Sequence, residues 1–167
     1  RVLVGRQMVP FSYEFLVGAA NIDFVNRSRV VRRLGPGRRT GAAINAVAGP
    51  VRLRGGVFNA SYTTDVMGQE TPQNVRGGLL AAGRAQGNVP IDDGGSEAIL
   101  GASIAYDTPD TSDQVEVPGR LLLSADARIH LGRVLVGGEL LYSDVVLPER
   151  FQSLDGTTSG GYATLGY

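Results

Sequence analysis

Residues 26–41 read NRSRVVRRLGPGRRTG: Arg27, Arg29, Arg32, Arg33, Arg38 and Arg39 fall within sixteen residues, with no lysine and no acid among them. A guanidinium is a planar, always charged fork that grips phosphate or carboxylate with two hydrogen bonds. Several such forks facing a water-filled constriction replace part of an anion's hydration shell and raise its local concentration. The anion then leaves by exchange from one arginine to the next. The plain alternative puts Arg29, Arg32 and Arg33 on a turn or loop face, solvated or touching lipid phosphates. In that reading Arg38 and Arg39, just before a strand, sit at headgroup level. Arg52, Arg54, Arg76, Arg84 and Arg128 join the anion-site candidates through the phase of the strands that carry them.

Other chemistry-bearing residues carry less. His130 is the sole histidine and has no second imidazole for a metal pair; it reads as a lumen or interface residue. Asp126 and Glu139 fall on polar faces of adjacent strands, where a carboxylate dyad and ion pairs with Arg128 and Arg133 are both conceivable; ion pairing is the expectation. The acidic stretches DDGGSE (92–97) and DTPDTSD (107–113) lack the spacing of a calcium loop and read as external loops. GGLLAAGRAQG (77–87) matches neither phosphate-loop nor dinucleotide fingerprint. Ser28 has no His/Asp support nearby and no nucleophile elbow. No catalytic residue, metal site or cofactor is therefore expected, and no enzyme.

The chain has 167 residues and balanced formal charge, 16 basic against 16 acidic. The balance is not local: residues 1–54 hold ten arginines against Glu14 and Asp23, whereas residues 55–167 hold six against fourteen acids. Such polarity points to a partner or solute of defined sign, and not to nucleic acid, which calls for a wholly basic domain. A base-composition bias would explain the absence of lysine, but not the clustering. There is no cysteine, which rules out disulfides, thiolate metal sites and cysteine nucleophiles. No stretch supplies the ~20 apolar residues of a membrane helix.

The elements that must position these side chains are strands. RLLLSADARIHL (120–131) alternates strictly: Leu121, Leu123, Ala125, Ala127, Ile129 and Leu131 on one face, Leu122, Ser124, Asp126, Arg128 and His130 on the other. VLVGGELLYS (134–143) follows across a Gly132-Arg133 turn, with Glu139 opposite Val136, Leu140 and Tyr142. Residues 98–107 and 75–86 repeat the theme. Residues 39–48 and 51–60 pair across Gly49-Pro50, with Arg39 and Asn45 on one side, and Arg52 and Arg54 sharing a side. Residues 1–8 and 160–167 complete about eight strands, several near the ~9–11 residues a tilted strand needs to cross a bilayer. Tyr106 and Tyr142 end their apolar faces, where an aromatic girdle would lie. Short turns at 49–50 and 132–133 contrast with longer connections at 61–74, 87–97, 107–119 and 144–159, the habit of outer-membrane barrels.

Residues 4–41, VGRQMVPFSYEFLVGAANIDFVNRSRVVRRLGPGRRTG, resemble the phosphate-selective porin O/P family of outer-membrane channels. The matching positions are Gly5, Pro10, Phe11, Ser12, Glu14, Phe24, Arg27, Ser28, Pro36, Gly37, Arg38 and Gly41, about a quarter of the chain in detailed match; Gln7-Met8 and Asn26 depart from the pattern. The resemblance implies a barrel of about sixteen antiparallel strands, usually a homotrimer, with an arginine-lined constriction formed partly by an inward-folded loop. A chain of this length then reads as a fragment of such a barrel.

The expectations are these. The fold is an all-β, transmembrane, antiparallel up-and-down β-barrel with about eight strands present, closed by itself or part of a larger barrel. Residues 1–167 form that single domain or partial barrel, with residues 9–38 an inter-strand segment carrying the arginine cluster. The function is passive passage of small solutes across a bacterial outer membrane, with phosphate-like anions preferred. Partners are small anions, outer-membrane lipid or lipopolysaccharide, and further copies in a trimer; nucleic acid is not among them. The rivals are a structural or adhesive barrel with partner-binding loops and a soluble two-sheet β-sandwich binding module.

Overall fold

A computed structural model of the chain describes residues 1–17, 28–60, 78–92, 95–108, 119–146 and 156–167. The eight strands are β1 (Val2–Met8), β2 (Arg38–Ala48), β3 (Val51–Ala60), β4 (Gly78–Pro90), β5 (Glu97–Asp107), β6 (Gly119–Leu131), β7 (Val134–Val146) and β8 (Gly156–Gly166). Two short helices, α1 (Tyr13–Leu16) and α2 (Arg29–Leu34), lie between β1 and β2. The strands form one eight-stranded sheet in sequence order, each antiparallel to the next. The fold is thus an all-β up-and-down meander in a single sheet, not the two stacked sheets of a sandwich.

The sheet is open. Among the described residues β1 pairs with β2 alone and β8 with β7 alone, so the eight strands by themselves do not close into a barrel. Eight closed strands leave an interior just wide enough for their own side chains, and here the inner face also carries Val9, Phe11, Phe15, Val31 and Leu34 from between β1 and β2.

Turn chemistry follows the residues. Gly49 and Gly132 adopt left-handed φ of 57° and 58°, and each sits in a two-residue connection between strands. At the β4–β5 connection, the Ser96 N–H donates to the Asp92 carboxylate at 3.0 Å. This connection is shorter than the 87–97 loop expected, because β4 runs on to Pro90, and it lies at the same end as the two tight turns. All the longer connections, after β1, β3, β5 and β7, share the opposite end.

The two faces differ in kind. The outward face of β3 to β6 carries no charge: Leu53, Val57, Ala81, Ala85, Leu100, Ile104, Leu123 and Ile129 all point there. Many of these side chains are exposed, as are Val4 at 82% and Leu140 at 69%. Tyr106 and Tyr142 lie on this face toward the long-connection end. Arg6 and Asp144 mark the edge of the apolar band there.

The core lies on the other face. Val9, Phe11, Phe15, Val31 and Leu34 from the β1–β2 connection pack against Phe58, Leu80, Ala82, Ala105, Leu122 and Leu141 of the sheet. In α2 the apolar Val31 and Leu34 are spaced three apart, so both face the sheet while Arg29, Arg32 and Arg33 point away from it.

Candidate functional site

Beyond the apolar pegs, the inner face becomes polar toward the short-turn end. Its side chains fall in cross-strand rows. One row runs Arg54, Arg84, Ser103, Ser124; the next runs Arg52, Gln86, Gly101, Asp126, Glu139, Tyr162. Alternation along each strand delivers every one of these groups to the same side.

Arg84 and Asp126 form a bidentate ion pair, Nη1 to Oδ2 at 2.6 Å and Nη2 to Oδ1 at 2.9 Å. Their side chains are 2% and 1% exposed. The pair crosses β5 diagonally over Gly101, where an added Cβ would lie 2.6 Å from Asp126 Oδ2. Arg84 Nη1 also donates to Ser103 Oγ at 3.0 Å. Asp126 was expected to pair with Arg128; instead the Arg128 guanidinium stacks 4.5 Å from the Tyr13 ring centroid. Glu139 was expected to meet Arg133. Those residues lie six apart along the chain, roughly 20 Å at strand rise, with Arg133 exposed in the turn.

Glu139 serves another purpose. Its Oε2 accepts from the Ser12 hydroxyl at 2.9 Å and from the Tyr162 hydroxyl at 3.3 Å. Ser12 also donates its N–H to Ser103 Oγ at 3.2 Å and caps α1 by accepting from the Phe15 N–H at 3.3 Å. It has φ 64°, a left-handed backbone at a residue with a side chain; such strain costs about 1–3 kcal/mol and is offset by this fully buried set of bonds. Further along, Glu14 Oε1 accepts from the Ser28 N–H at 2.7 Å, tying α1 to the start of α2. At the far end of α2, Arg120 Nη2 donates to the Leu34 carbonyl at 3.3 Å. The connecting segment is thereby strapped to the inner face at both helices.

Between α1 and strands β3 to β5 remains a cleft of about 290 Å³. Arg52, Arg54 and Arg84 line one side, with the Gln86 and Asn88 amides beyond them. Tyr13, Leu16 and Val17 line the other. Arg54 and Arg84 are direct cross-strand partners, an arrangement in which like charges repel. Asp126 neutralises Arg84, but among the described residues no acid lines the cleft to neutralise Arg52 or Arg54.

The structure therefore separates the candidate arginines. Arg52, Arg54, Arg84 and Arg128 share the inner face, and Arg39 faces inward near the long-connection end. Arg29, Arg32 and Arg33 are exposed on α2, and Arg38 is exposed at the start of β2. Arg27 and Arg76 lie outside the described residues, as do 109–113 of the second acidic stretch. His130 sits between Glu97 and Leu135 near the short-turn end. The straps made by Ser12, Glu14, Arg120 and Glu139 are not legible as a group in the sequence; the available signals are the polar phase of Glu139 and the place of Ser12 and Glu14 among the positions that carry the resemblance. A scan against protein families, a search of curated proteins and a search of solved structures each find no match to this chain.

Proposed function

We propose that this chain forms wall and constriction of an outer-membrane β-barrel pore through which small anions pass passively, in keeping with its resemblance to the phosphate-selective porin O/P family. One observation carries the reading: an unbroken, exposed apolar face lies opposite a polar inner face that bears arginine. Water in contact with that much apolar surface is unfavourable by about 25 cal/mol per Å², and monomeric soluble proteins rarely expose patches beyond a few hundred Å². Hydrocarbon removes the cost. The exposed tyrosines, the strands of 10–13 residues from β3 to β7 and the long connections at one end fit the same setting.

Closure needs more than eight strands, since the strapped segment fills space that a small barrel does not have. Strands for the two open edges come from further chain or further copies. Inside, the segment narrows the passage. The exposed Arg29, Arg32 and Arg33 face the open side, and Arg52 and Arg54, which no acid among the described residues neutralises, stand deeper in. That array favours anions without trapping them.

The test is planar-bilayer recording under a salt gradient. The reversal potential of the wild-type chain should indicate anion preference, and the triple change of Arg29, Arg32 and Arg33 to Ser should move it toward cations. Absence of any conductance across preparations that insert as folded protein would overturn the pore.

A further inference from the structure

The cleft beside α1 is asymmetric in a way that inorganic phosphate does not use. One side is cationic: among the described residues Arg52 and Arg54 have no acidic partner there, and Arg54 Nε is buried with no hydrogen-bond partner. The opposing side is aromatic and aliphatic, made by Tyr13, Leu16 and Val17. A compact, strongly hydrated phosphate would lose water against that wall and gain no hydrogen bond from it. An anion with one carboxylate and an apolar body satisfies both sides at once. Its carboxylate accepts from the Arg54 fork, and its body removes the Leu16 and Val17 surface from water. The volume of about 290 Å³ stands at the small end of ligand sites, near 300 Å³, which suits a single ring or a short branched chain.

We infer that this cleft is a binding site for small organic monocarboxylates with an apolar or aromatic body, held by Arg54 and Arg52 against Tyr13 and Leu16. The inference deepens the pore reading and rests on it for the route by which the solute arrives. Arg84 plays a supporting part. Its ion pair with Asp126 fixes the floor of the cleft and leaves the two β3 arginines as the groups that meet the carboxylate.

Isothermal titration of the folded chain in detergent micelles, with benzoate and with inorganic phosphate at matched ionic strength, tests it. Benzoate should bind about tenfold or more tightly than phosphate, about 1.4 kcal/mol. Arg54→Gln should abolish the benzoate heat, and Arg52→Gln should weaken it severalfold. Leu16→Asn should erase the preference for benzoate while leaving phosphate affinity where it was. Equal or tighter phosphate binding, benzoate binding indifferent to Arg54→Gln, or no binding of either anion would overturn the site. The bilayer recording keeps the two ideas apart. An anion-selective current without benzoate preference defeats the cleft alone, whereas benzoate binding by a folded protein that never conducts defeats the pore alone.

Discussion

Arg84 and Asp126 meet across a strand to which neither belongs. The guanidinium of β4 reaches the carboxylate of β6 over Gly101 of β5, with two hydrogen bonds of 2.6 and 2.9 Å. Three strands are thereby locked at one point of the inner face.

Breaking one side of that pair leaves a buried charge without its partner. Asp126→Ala should destabilise the folded protein by about 3–5 kcal/mol, whereas joint replacement by Arg84→Met and Asp126→Leu should cost far less. Gly101→Ala should weaken the pair with both partners still present, because its methyl group would occupy the space the contact needs. Denaturant unfolding in detergent measures all three. Equal, small losses in single and double variants would show that the pair is not a buried lock.

Ser12 holds the connecting segment down through its backbone and its hydroxyl. Ser12→Ala removes the donor to Glu139 and the cap of α1, leaving a buried carboxylate oxygen short of a partner. The expected cost is about 1–3 kcal/mol, with faster amide exchange over residues 11–17. Exchange that stays at the wild-type rate would mean the apolar pegs alone seat the segment.

Leu140 and Leu141 are neighbours in sequence and opposites in surroundings, 69% and 2% exposed. Leu141→Ala should cost about 2–5 kcal/mol through the cavity it leaves. Leu140→Ala should be nearly neutral. Leu140→Arg separates lipid from water as the outer solvent: a charge at the bilayer midplane costs about 2–4 kcal/mol, while in water it costs almost nothing. Folding into vesicles, compared between wild type and Leu140→Arg, reads the difference.

Much of the sheet was legible because period-two alternation persists over long strands. In β6, the run from Leu121 to Leu131 assigns each residue to a face without reference to any partner, and the sheet keeps every assignment. Tight turns at Gly49 and Gly132 were equally plain from residue type. The ion pairs were not. Phase placed Arg84, Asp126, Arg128 and Glu139 on one side, but choosing among partners requires the register across three strands and an empty position at Gly101. Nor were α1 and α2 visible: four and six residues span too few turns for a 3.6-residue period to emerge, and their stability comes from caps and tertiary straps. Closure was illegible for a different reason. Alternation states that a strand has two faces, and it carries no information about which strand lies beyond the edge.

Hydrocarbon on one face and water on the other is the central claim, and β6 offers its cleanest test. The chain has no cysteine, so nitroxide labels can be placed singly at residues 121 to 131 in the protein folded into vesicles. Accessibility to dissolved oxygen, which concentrates in hydrocarbon, should be high at Leu121, Leu123, Ala125, Ala127 and Ile129 and low at the residues between them. A water-soluble nickel chelate should be excluded from those same odd positions. Odd positions that relax with the nickel chelate and not with oxygen would place that face in water and contradict the membrane reading.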